Sequence, residues 1–130
     1  MTERPGGMAP PAEARLPGGR VVELAEAAAE ICRRYAAEFA DEEARYGEAW
    51  MPWCRHDNQH ILNWAAEDVA GFNDLDRHLD WLYDLLAARG FPVERIPRNV
   101  ELGADVLRER GEADVADRLA RAVERLRTRH

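Results

Sequence analysis

Apolar residues return every three or four positions through most of this chain, and no stretch alternates convincingly at every second position. That period belongs to amphipathic helices rather than strands. Leu24, Ala28, Ile31, Tyr35 and Phe39 form a first stripe, with Cys32 and Ala36 beside it. A second helix is expected from about Pro52 to Ala70, a third carries Leu75, Leu79, Leu82 and Leu86 with Tyr83 alongside, and a fourth from about Pro97 to Arg110 aligns Ile96, Val100, Gly103 and Leu107. Val115, Leu119, Ala122 and Leu126 mark the last. The breaks have mechanisms. Gly71, Gly90 and Gly111 supply stops, Pro92 cannot continue a helix, and Asn73 or Asp74 can cap the third one. A glycine at 103 weakens mid-helix and suggests a close helix crossing. Pro92 to Ile96 reads as a short helical turn, and the first helix is expected to fray near Glu43 into a connector through Tyr46-Gly47. The class is therefore all-α with five main helices. Residues 1–18, rich in Pro, Gly and Ala, read as a disordered leader, and residues 19–130 as a single helical domain.

Composition closes several routes. The formal net charge is −7, with Glu38, Asp41, Glu42, Glu43 and Glu48 clustered, which disfavours nucleic acid as a partner. The C-terminal arginines, including Arg118 and Arg125, are diluted by acids and read as a solvated face. There is no serine and no lysine, so a serine nucleophile, a Schiff-base lysine and a phosphate-loop lysine are all excluded. Two cysteines make no disulfide scaffold, and no Cys-x-x-Cys pair points to structural zinc. No apolar run is long enough to span a bilayer and no signal-peptide core is evident, so the expected compartment is the cytoplasm, away from any membrane.

The second helix carries the clearest functional signal. At about 100° per residue, Cys54, Ile61, Ala65 and Phe72 fall on one line, flanked by Trp64 and Val69. Asp57, Asn58 and Asp68 fall inside the same apolar stripe, where polar side chains need partners. Cys54 and Asp57, one turn apart, point into one groove beside Trp50, Trp53 and Trp64. The carboxylate would raise the thiol pKa, so the pair suits binding better than catalysis. The competing reading is a buried cysteine beside a carboxylate paired with an arginine of another helix. His56 and His60 could ligate a metal at their i, i+4 spacing, with Glu67 a turn further along, but they read more simply as solvated surface histidines. The tryptophans, Trp81 included, either wall a pocket or fill a core. Cys32 reads as a small buried hydrophobe.

Cys54-Arg55-His56-Asp57 resembles the Cys-Leu-Arg-Asp motif that opens a long helix in the phycobiliproteins, a globin-like family. An alanine-rich helix precedes it, and Leu82-Tyr83-Asp84-Leu85-Leu86-Ala87-Ala88-Arg89-Gly90-Phe91-Pro92 is similar to that family's Leu-Arg-Glu-Thr-Tyr-x-Ala-Leu-Gly-x-Pro. The resemblance spans about residues 21 to 110. It implies a globin-like fold and a bilin or other tetrapyrrole as cofactor. Cys54 would be the contact or attachment thiol and Asp57 the acceptor for ring N–H groups. Two differences are plain: His56 stands where the family has its propionate-binding arginine, and Trp50-Met51-Pro52-Trp53 replaces an arginine-rich approach. The expectation is thus a small ligand-binding relative without light harvesting. Its site would be Cys54, Asp57, Asn58, Trp50, Trp53 and Trp64, with Arg55 or His56 available to an acidic tail. The alternative is a non-catalytic regulatory module whose aromatic face meets a partner or a second copy in a homodimer.

Overall fold

A computed structural model describes residues 9–129. It is a helical assembly: α1 (Leu24–Glu38), α2 (Asp41–Tyr46), α3 (Trp50–Val69), α4 (Leu75–Ala88), α5 (Ile96–Glu109) and α6 (Ala113–Arg127). Single 3₁₀ turns at Gly47–Ala49 and Val93–Arg95 lead into α3 and α5. The five expected main helices are present, and the short α2 occupies part of what was expected as frayed chain. Among the described residues no helix is long and apolar enough to cross a membrane.

The first correction lies before α1. Glu13–Arg15 and Val21–Glu23 form an antiparallel two-stranded ribbon, β1 and β2, that pairs Ala14 with Val22. Ala14, Leu16 and Val22 are buried against the helices, so part of the stretch read as a disordered leader is built into the core. Strands of three residues are too short to show a period. Residues 1–8 of that leader lie outside the described residues.

α5 and α6 pack along their lengths, α1 lies against α3 and α5, and α4 touches mainly α3. The stripes meet as their spacing demands. Leu24, Ile31, Leu62, Leu75, Leu79, Leu107, Leu119 and Leu126 are fully buried, each contributing on the order of 1.5–3 kcal/mol relative to exposure. α3, α4 and α5 end alike. Gly71, Gly90 and Gly111 take φ of +88°, +77° and +82°. The next amide then donates back to the carbonyl five residues earlier, as Phe72 N–H does to Glu67 at 2.8 Å. Only a residue without Cβ enters that conformation cheaply, so these glycines set the helix lengths. The Asp74 side chain caps α4 by accepting from the Arg77 amide at 3.4 Å.

Three further expectations are corrected. Phe72 leaves the α3 stripe because the helix has ended, and it is 85% exposed. Arg118 is not part of a solvated face: it is buried and bridges Asp68 and Asp76, each at 3.1 Å. Asp68 also accepts from the Leu75 amide at 2.8 Å, which satisfies one of the polar groups in the α3 stripe. Gly103 does not mark an unusually close crossing, since a Cβ there would lie 3.5 Å from Ile31, 3.6 Å from Leu62 and 3.8 Å from Leu119, all ordinary contacts.

Candidate functional site

Trp50, Trp53, Cys54, Asp57, Asn58 and Ile61 recur at spacings of three and four, so the first three turns of α3 turn one face to a single space. Leu82, Leu86 and Arg89 from the end of α4, with Phe91 beyond it, stand on another side. Tyr35 of α1, Glu42 and Tyr46 of α2, and Arg95, Ile96 and Asn99 at the start of α5 complete the wall. The result is a cavity of about 310 Å³ at the end of the α3–α4 pair away from their connecting turn. That is near the lower limit of small-molecule sites.

A buried carboxylate organises one wall. Glu42 is only 1% exposed, and it accepts from Tyr35 Oη (2.9 Å), Trp50 Nε1 (3.0 Å) and Arg95 (2.7 Å). Arg95 also reaches Asp41 at 3.1 Å and lies over the Phe39 ring at 4.6 Å. Burial works against the Arg95 charge, but its bonds to Glu42 and Asp41 outweigh it and keep the guanidinium protonated. Burial first, then the Glu42 charge, pushes the Tyr35 phenol up from its usual range, so it remains a donor at neutral pH. Three pocket side chains from three elements are therefore oriented by one anion that α2 delivers.

The floor is an amide pair. Asn58 Nδ2 donates to Asn99 Oδ1 at 3.1 Å, and Asn99 Nδ2 donates back to Asn58 Oδ1 at 2.8 Å. Asn58 Nδ2 also lies 3.0 Å from the Cys54 carbonyl and 3.5 Å from its sulfur. This explains how an asparagine sits on the apolar stripe of α3: it is buried, and α5 satisfies it. The neighbouring Cys32 thiol, then burial, then the Asp57 charge raise the Cys54 thiol well above its usual pKa. At neutral pH it is a thiol, a weak nucleophile.

Of the residues expected from sequence, Cys54, Asp57, Asn58, Trp50 and Trp53 line the cavity. Arg55, His56 and Trp64 do not. Arg55 is exposed. His56 and His60 are half-buried in a ring column, correcting their reading as solvated surface side chains. Their centroids are 4.8 Å apart, His60 lies 5.8 Å from Trp64, and Trp64 lies 4.8 Å from His78 of α4. His56 Nδ1 is 3.4 Å from Asp57 Oδ1. Among the described residues no group of three or more His, Cys, Asp or Glu side chains is arranged to hold a metal ion. Trp81 joins neither pocket nor core and is 49% exposed. The cations at the pocket are Arg89 and Arg95, neither singled out from sequence. Arg89 was hidden inside a helix-stop motif, and Arg95 in a turn without periodicity. Glu42 was hidden in an acidic cluster that bears only on net charge. Asn99 had one signal available, a polar residue next to the α5 stripe.

Set against models of protein families, against curated proteins and against solved structures, the chain matches none of them.

Proposed function

We propose that this protein binds a flat, largely apolar small molecule in the cavity between α3 and α4, as a cytoplasmic sensor or regulatory protein without catalysis. An open-chain tetrapyrrole is the first ligand to test, and the chain is read as a distant globin-like relative of the phycobiliproteins. The observation that carries the reading is a cavity of about 310 Å³ whose aromatic walls surround a small polar set, Asp57 with the Asn58–Asn99 pair. Apolar walls with a few convergent polar groups are what a ligand site needs for affinity and orientation. Asp57 is the acceptor for ligand N–H groups, since a carboxylate takes several donors at once. Arg89, exposed beside the cavity, is placed to meet an acidic substituent, the role first given to Arg55 or His56. Cys54 contacts the ligand; because its proton is held, no thioether is expected to form rapidly at neutral pH. The two free thiols suit a reducing compartment.

The test is an absorption titration of the purified chain with biliverdin and phycocyanobilin. A shifted visible band at one ligand per chain is expected, weakened by Asp57→Asn. An unchanged spectrum with both bilins removes the tetrapyrrole reading.

A second reading has one observation behind it. Phe72 and Trp81 are large, exposed and apolar, which suits contact with a partner or a second copy. Light scattering distinguishes the two: a dimer dispersed by Trp81→Glu supports the interaction module, and a monomer supports the ligand site.

A further inference from the structure

Cys32 is not among the residues lining the cavity, yet its sulfur shares one amide neighbour with that of Cys54. α1 carries Cys32 fully buried, and α3 presents Cys54 to it across the α1–α3 contact. One amide nitrogen, Asn58 Nδ2, lies 3.7 Å from the Cys32 sulfur and 3.5 Å from the Cys54 sulfur. Its two N–H bonds are shared among these sulfurs, the Cys54 carbonyl and Asn99, so they supply a weak donor field aimed at both thiols. The Cys32 thiol is also the largest influence on that of Cys54. Deprotonated together, two thiolates beside one amide nitrogen would repel each other, and a cation between them would relieve that repulsion. Cys54 is a lining residue of the cavity and is only partly buried, which gives an entering ion a path toward the buried Cys32.

The donor set selects the ion. Zinc takes four ligands in closed sites, and among the described residues no third or fourth ligand is arranged around the pair. Two soft sulfurs suit a soft monovalent cation that accepts linear two-coordination. A linear S–metal–S bridge needs sulfurs about 4.6 Å apart, twice a metal–thiolate bond of roughly 2.3 Å. Two sulfurs that share one nitrogen neighbour at 3.5 and 3.7 Å can meet that separation.

We propose that Cys32 and Cys54 together bind one Cu(I) ion at the base of the cavity, with Asn58 holding both sulfurs in place. On binding, two S–Cu bonds form, the two thiol protons pass to solvent, and no electron is transferred. The product carries one net negative charge, which the Asn58 N–H donors stabilise as outer-sphere partners. The site goes beyond the ligand reading: it shares Cys54 and Asn58 with the cavity, and Cys32, which is not among the lining residues, sets the two apart.

The experiment is an anaerobic titration of the fully reduced chain with Cu(I) buffered by bicinchoninate. One ion should pass from the chelator to each chain, with a new near-ultraviolet sulfur-to-metal band. Cys32→Ala and Cys54→Ala should each abolish the transfer while circular dichroism stays that of the parent. Asn58→Ser should weaken binding about 10-fold or more without changing stoichiometry. Copper left on the chelator, or equal transfer to either single-cysteine variant, would overturn the proposal. So would a mass loss of about two hydrogens on air exposure in a chain that takes no copper, since that marks a disulfide pair instead. Cys32→Ala separates this site from the ligand reading: it should lose copper and keep any bilin spectrum.

Discussion

Replacing Glu42 by glutamine tests the claim that one buried anion holds the pocket wall. The change keeps the shape of the side chain and one acceptor oxygen, but sets an NH₂ group against one side of its partners. The amide oxygen can still serve Tyr35 and Arg95, which share Glu42 Oε2. The NH₂ then faces Trp50 Nε1, previously 3.0 Å from an acceptor, and a donor meets a donor. Leaving a buried donor unsatisfied costs about 1–3 kcal/mol. Losing one partner of a buried ion pair costs about 3–5 kcal/mol in general. Here Arg95 keeps Asp41 at 3.1 Å and is partly exposed, so the second term is reduced. A total of about 3 kcal/mol is expected. With a urea m-value near 2 kcal/mol/M, the unfolding midpoint falls by about 1.5 M. A double-mutant cycle isolates the cause. In a Trp50→Phe background the donor is already gone, and Glu42→Gln should cost at least about 1 kcal/mol less. A midpoint shift under about 0.5 M, or full additivity of the two changes, would refute the idea that Glu42 organises this wall.

Gly103→Ala should raise the melting temperature by about 4 °C, because alanine gains roughly 1 kcal/mol in helix propensity and its Cβ meets only ordinary contacts; a lower melting temperature would show that α5 needs closer approach than the structure gives. Stability should fall as the solution is acidified below about pH 4. The arginine partners of Glu30, Glu38, Asp41, Asp80, Glu101 and Glu109 hold these carboxyls below their usual range, so their contribution is present above the unfolded-state values and disappears as pH drops through the folded ones. These pairs are mostly surface-exposed, so 1 M salt should flatten the dependence, and an acid limb of unchanged slope would point to buried groups instead.

The helix count was legible because it is a property of neighbours in sequence. Leucines at 75, 79, 82 and 86 share a face of any helix they form, and glycine at 71, 90 or 111 ends a helix by its own conformational freedom. The same local geometry brought Cys54, Asp57, Asn58, Trp50 and Trp53 to one face of α3. What lies opposite that face was decided by packing alone. Glu42 counted only as one member of an acidic cluster until α2 folded it against Tyr35, Trp50 and Arg95, and the partner that satisfies Asn58 stands 41 residues away on α5. The strand pair was missed for a related reason, since three-residue strands carry no period and are held by burial of Ala14 and Val22. Periodicity encodes which residues share a surface. Which charge neutralises which, and which amide pairs with which, depends on distances between helices, and those are set only when all the stripes are buried at once.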